Sequence, residues 1–218
     1  MTPHHLHALA AAWSLQAARQ TLAFHVDRER RHNGRNLLDA ADILRAPIYG
    51  QRLSGGGHGD PVSGLLTAGR RPPRETLWFD RWNTADSRLN GIYRMFAIPE
   101  PRNLQRLLTA MPGMSVGVVR ILTKHLDDED ALLRGPEWLD QPRPTTPLVG
   151  VPCPHCGERQ LHVQTAGPID TWTVICATGR LCTGAGCGCG MPGAVEGVAH
   201  IWPRAAVLGA VAGAAPTQ

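Results

Sequence analysis

All six cysteines of this 218-residue chain fall between Cys153 and Cys189. Their order is Cys153-x2-Cys156, nineteen intervening residues, then Cys176, Cys182, Cys187 and Cys189 at gaps of five, four and one. A cluster this dense is kept for disulfides, for a metal or for catalysis. In a reducing compartment, where disulfides do not persist, metal binding or catalysis remains. Pro152-Cys153-Pro154-His155-Cys156-Gly157 has the form of a zinc knuckle. Two thiolates three positions apart face one tetrahedral site, and the glycine lets the turn close with its amides toward sulfur.

The residues around the knuckle read as strand. Gln160 to Gln164 alternates apolar and polar, and Thr171 to Ile175 is a β-branched and aromatic run that ends at Cys176. Two strands joined near Gly167-Pro168 would bring both cysteine groups to one end, which is the geometry of a zinc ribbon. Such a hairpin is too small to bury a sufficient core, so metal coordination supplies the missing free energy. Cys176, Cys182, Cys187 and Cys189 compete for the two positions beside Cys153 and Cys156. The simplest expectation is one zinc on Cys153, Cys156, Cys176 and one of Cys182 or Cys187. A second metal on the spare thiolates, with His200 or His162 as a nitrogen ligand, is the alternative. His155 is expected to face water. A site of four thiolates is closed to water and substrate, so no catalysis is expected, and no His and acid arrangement stands out beside a nucleophilic cysteine.

The remainder reads as helix. Leu6, Leu9, Trp13 and Ala17 share a stripe, with Leu15, Ala18, Leu22 and Val26 beside it, which predicts a helix from His5 to His32. Asn33-Gly34 is expected to cap it, and a short helix from Leu37 to Arg45 ends before Pro47. The Gly-rich stretch 54–64 reads as a connector, since it lacks the Gly-Lys-Ser/Thr ending of a phosphate loop. Trp78, Trp82, Ala85, Leu89, Ile92 and Phe96 predict a helix from Glu75 to Ala97 that runs through Asn90-Gly91, with both tryptophans in the core. Asn103 is placed to cap a short helix through Met111. Pro112-Gly113-Met114 makes a turn, and Ser115 caps a helix that runs into Asp127 to Asp130. Helix, turn and helix have the outline of a helix-turn-helix, with Arg120 and Lys124 on the second helix. The expected organisation is a helical domain over 1–139, a Pro-rich linker over 140–149, a zinc-ribbon module over 150–204 and an Ala/Gly-rich tail over 205–218. The fold class is therefore mainly α, with a small C-terminal β zinc ribbon.

A hydrophobic fraction of 43% with 18% charged residues describes a globular chain. The basic excess is confined to residues 1–109, which hold 15 arginines against 9 acidic residues. Arg28, Arg30, Arg31 and Arg35 crowd the end of the first helix, and with Arg120 and Lys124 they are the candidate nucleic-acid contacts. Lys124 is the single lysine against 21 arginines, a skew typical of high-GC coding that lowers the weight of the arginine count. Met1 to Trp13 lacks the pattern of a secretory signal, and no run reaches the roughly 20 apolar residues of a bilayer span. A cytoplasmic protein without a membrane partner or small-molecule substrate is expected.

Cys153-Pro-His-Cys-Gly157, the dense Cys182 to Cys189 cluster and the ending Gly197-Val-Ala-His-Ile-Trp-Pro203 resemble small zinc-ribbon proteins of actinobacteriophages and related prophages. The Gly55 to Pro61 loop and the Arg-rich helical half fit that resemblance. It implies phage origin and an accessory role in the host cytoplasm, without a defined biochemical activity. The reading that follows is a non-enzymatic zinc-ribbon adaptor that binds nucleic acid or a nucleoprotein complex. The alternative is a structural or assembly protein of the virion whose ribbon docks a phage or host protein.

Overall fold

Helix α1 runs unbroken from Pro3 to Leu44. The computed structural model describes residues 1–44, 76–191 and 193–213, with side chains over 1–33, 76–191 and 193–209. The Gly-rich stretch 54–64 lies outside the described residues. Ala8, Ala11, Leu15, Ala18, Leu22 and Val26 form the deepest seam of α1, none more than 4% exposed. His4, His5 and Ser14 are buried as well, so the first turns are enclosed on more than one side. The helix does not close at Asn33-Gly34, and the two predicted helices are one. Glycine inside a helix costs only about 1 kcal/mol relative to alanine, and the helix-forming arginines and leucines around Gly34 carry the backbone through.

Helix α2 spans Leu77–Met95 and buries Ala85, Leu89, Ile92 and Tyr93. It passes through Asn90-Gly91 because the Asn90 amide donates to Asp86 Oδ2 at 3.0 Å, which holds along the helix a side chain that would otherwise build a turn. Helix α3, Leu104–Ala110, is capped by Asn103, whose Oδ1 accepts the Arg106 N–H. A 3-10 turn over Met111–Gly113 leads to α4, Val116–Arg134, capped by the Ser115 hydroxyl oxygen. Along α4, Val119, Leu122, Leu126 and Leu133 face inward. The acidic run at its end turns inward too. Arg88 Nε donates to Glu129 at 2.7 Å, and fully buried Asp130 accepts from Ser14, Arg134 and Arg143 at 2.7 to 2.8 Å. No helix among the described residues is long and apolar enough to cross a membrane.

Four short strands form one antiparallel sheet in the order β1 (Thr145–Pro147), β2 (Leu161–Gln164), β3 (Thr173–Cys176) and β4 (Ile201–Pro203). The sequence predicts the β2–β3 hairpin but neither flanking strand. Part of the Pro-rich segment 140–149 supplies β1, and a sheet edge tolerates proline because it needs only one row of backbone donors. The Ala-rich residues after β4 form helix α5, Arg204–Gly213, as the high helix propensity of alanine allows.

The chain divides into two compact units, Met1–Thr21 with Ala85–Gln218, and Leu22–Thr84. The division does not fall at the Pro-rich segment. Leu6 and Ala10 of α1 share an apolar cluster with Cys153, Leu161, Val174 and Trp202, because a sheet this small cannot cover its own face. The approach is tightest at Gly167, in the β2–β3 connection, where φ is +80° and an added Cβ would lie 2.4 Å from Trp13 Cδ2. In the Leu22–Thr84 unit, the Glu29 carboxylate accepts the Trp78 and Phe79 N–H groups at the start of α2. Trp78 and Trp82 are half-buried rather than core residues. Trp78 instead stacks on His25, with ring centroids 4.3 Å apart.

Candidate metal centre

The knuckle before β2 folds as its sequence dictates. Gly157 takes φ +74° and donates its N–H to the Cys153 carbonyl at 2.9 Å, while the Cys153 N–H donates to the Glu158 carbonyl at 2.8 Å. Cys176 ends β3 directly opposite Leu161 of β2. This register brings Cys153, Cys156 and Cys176 together, with their sulfurs within 4.8 Å of one another. Cys156 Sγ and Cys176 Sγ are 3.8 Å apart, the edge length of a tetrahedron built on metal–sulfur bonds of about 2.3 Å. The Thr178 hydroxyl lies 3.0 Å from Cys176 Sγ and 4.0 Å from Cys156 Sγ.

A second group gathers Cys182, Cys187, Cys189 and His200, again within 4.8 Å. Backbone pairing around β4 sets it up. Cys182 exchanges hydrogen bonds with the Val198 carbonyl and the Gly197 N–H, both at 2.8 Å, and Leu181 bridges Ala199. His200 is wholly buried. Its Nδ1 lies 3.0 Å from the Arg180 carbonyl, which can only accept, so Nδ1 carries the proton and Nε2 presents its lone pair. That Nε2 is 3.3 Å from Cys187 Sγ. The Gly184 N–H points at Cys182 Sγ at 3.4 Å, and the Trp202 indole N–H fixes the Cys189 carbonyl at 2.9 Å.

His155 is half-buried rather than turned wholly to water. Its Nδ1 lies 3.3 Å from Cys187 Sγ, and its ring stacks on His200 with centroids 4.0 Å apart. The residue between the two knuckle cysteines thus touches the other group. The thiols are unevenly poised. Burial pushes Cys153 up to about 11, and burial pushes Cys189 up to about 11. The Thr183 amide, then His200, brings Cys187 down to about 5. The Glu158 amide lowers Cys156. Amides aimed at sulfur favour the thiolate, the form that binds metal.

Both groups could therefore hold a metal ion. Cys153, Cys156 and Cys176 are together as expected, whereas Cys182 and Cys187 join Cys189 and His200 in a set of their own. His162 belongs to neither group. The signal for His200 was its place one residue before the Ile201-Trp202 strand, which carries it to the cysteines only once β4 pairs with β3.

The candidate nucleic-acid contacts are divided between the two units. Arg28, Arg30 and Arg31 belong to the Leu22–Thr84 unit and Arg120 and Lys124 to the other. Arg30 lies 4.0 Å from Asp27 and over the Phe79 ring, and Arg31 Nε donates to the Asp27 carbonyl. Arg28 lines a pocket with His25, Glu29, His32 and Trp78. Arg35 lies on α1, and its side chain is outside the described residues. Lys124 is paired with Asp128 at 2.7 Å, and Arg120 shares a pocket with His4, His7, Asp127 and Glu196. Comparison with models of protein families, with curated proteins and with solved structures gives no match, so the resemblance to phage zinc-ribbon proteins rests on the quoted residues alone.

Proposed function

We propose that this chain is a non-enzymatic adaptor whose cysteine-rich part is a zinc-ribbon-like platform folded by two zinc ions, and that its partner is nucleic acid or a nucleoprotein complex. One observation carries the metal reading. Buried His200 has its Nδ1 committed to the Arg180 carbonyl and its Nε2 turned to three cysteines. A buried imidazole held in this way matches the usual support of a structural zinc ligand. A mixed thiolate and imidazole set within 4.8 Å suits zinc, and a closed set of four leaves no position for water or substrate. Support for the partner is the basic excess of residues 1–109 and the frequent use of small rigid zinc modules as recognition surfaces.

Two measurements on the purified full chain test this. Elemental analysis should give about two zinc ions per chain, and chelation should unfold the sheet. Electrophoretic retardation of duplex and single-stranded DNA and RNA should weaken steeply as salt is raised, because phosphate contacts release counterions. A metal-free chain with an intact sheet would remove the zinc reading. Absence of retardation of every nucleic acid at low salt would remove the partner.

A further inference from the structure

The two metal groups are not alike. Cys182, Cys187, Cys189 and His200 offer four donors within 4.8 Å of one another, whereas Cys153, Cys156 and Cys176 offer three. Among the described residues no further Cys, His or carboxylate joins the three within the same 4.8 Å. The nearest imidazole in sequence, His155, is committed elsewhere by its contact with Cys187 and its stacking on His200. Thr178 is close, but its hydroxyl sits 3.0 Å from Cys176 Sγ, a position from which it donates to a thiolate. Each group has one half-buried cysteine, Cys156 here and Cys187 in the other, so the number of donors alone distinguishes them.

Resting on the reading that both groups bind zinc, we infer that the Cys153/Cys156/Cys176 site keeps an exchangeable fourth position that takes a monodentate sulfur or nitrogen donor from outside these three residues, while the His200 site is closed. Zinc bound by three protein ligands completes its tetrahedron with water or an incoming ligand. Soft thiolate surroundings favour a sulfur or imidazole donor in that place. The exchange is balanced without redox chemistry. The bound water leaves, the donor's lone pair forms the new bond to the metal, and a thiol donor releases its proton to solvent.

The test uses the full chain with both zinc ions replaced by cobalt(II), whose visible bands report coordination. Titration with imidazole and, separately, with 2-mercaptoethanol should shift the bands saturably for about half of the cobalt. The response should vanish in Cys156→Ser and persist in His200→Cys, which keeps four donors at the other site. Zinc release to a chromogenic chelator should be biphasic in the unaltered protein, one metal leaving at least tenfold faster than the other. A spectrum that neither donor changes, or one that responds equally in Cys156→Ser, overturns the inference. Two zinc ions per chain with an unresponsive spectrum would leave the zinc reading standing and remove only the open position. Absence of bound metal would remove both.

Discussion

The Ser14 hydroxyl donates to the Asp130 carboxylate at 2.8 Å, joining α1 to the end of α4 across 116 positions of sequence. The same carboxylate receives Arg134 at 2.8 Å and Arg143 at 2.7 Å. Arg134 in turn donates to the Ser14 carbonyl at 2.8 Å and the Pro142 carbonyl at 2.9 Å. One buried anion thereby fixes α1, α4 and the segment that leads into β1. We expect Asp130→Ala to destabilise the protein by about 3 to 5 kcal/mol, because it leaves the nearly buried Arg134 without its counter-charge. Ser14→Ala should cost about 1 kcal/mol. Urea unfolding of both variants checks the ratio, and equal midpoints would contradict it.

His200 and His155 both touch Cys187, but only His200 belongs to the set of four. His200→Ala should leave three thiolates at that site, weaken its hold on zinc more than any neighbouring change and make its zinc as exchangeable as the one on Cys153, Cys156 and Cys176. His155→Ala should keep the content and weaken affinity at the second site by about 10 to 100-fold, the usual effect of removing a residue that supports a ligand. Competition with a chelator of known affinity separates the two. Loss of a metal in His155→Ala would make it a ligand.

Thiol reactivity should follow the uneven poise of the cysteines. When chelator and iodoacetamide are added together, so that labelling competes with the opening of the metal-free sheet, the folded thiols are read: near pH 6.5 Cys187, brought down to about 5, is largely thiolate. Cys153 and Cys189, pushed up to about 11, are thiols there. Iodoacetamide should therefore label Cys187 well before Cys153 or Cys189, as read by peptide mass spectrometry. The linkage sign follows. A depressed Cys187 contributes stability to the metal-free fold above its ordinary value of 9, and that contribution is lost as pH falls toward about 5. The raised Cys153 and Cys189 act oppositely, favouring the fold below 9 and ceasing to do so as pH rises through about 11. Faster labelling of Cys153 would refute the assignment.

Gly167→Ala should be among the most damaging single-methyl additions. It places a side chain at φ +80° and 2.4 Å from Trp13, so either the turn or the indole must move, at a cost of about 1 to 3 kcal/mol. The near-ultraviolet circular dichroism of the tryptophans should change with it. Gly91→Ala, where nothing lies within 4 Å, should be neutral or slightly stabilising.

Features written locally were readable from the residues. Asn103 and Ser115 cap the helices they were expected to cap, because a capping side chain reaches only two or three positions along. The apolar spacing of α2 outweighed the turn signal of Asn90-Gly91, and the knuckle and the β2–β3 hairpin likewise depend on neighbours in sequence. What depends on distant pairing was hidden. Cys182, Cys187 and Cys189 have no regular spacing of their own, and their grouping with His200 follows from β4 closing on β3. Within the run from Asp127 to Asp130, Glu129 and Asp130 point inward because Arg88 and Ser14, both distant in sequence, meet them, with Arg134 and Arg143 completing the pairing of Asp130. Gly34 misled for the opposite reason, since a local stop signal was overridden by the length of helix on either side.

The sharing of Leu6 and Ala10 with the sheet and its cysteines bears on how the molecule can be dissected. A fragment starting at Pro147 would carry every thiolate yet leave a greasy floor open to water, and it would clump even when fully loaded with metal. The smallest portion that can be handled in solution has to bring its opening helix along, grafted or supplied as a separate peptide.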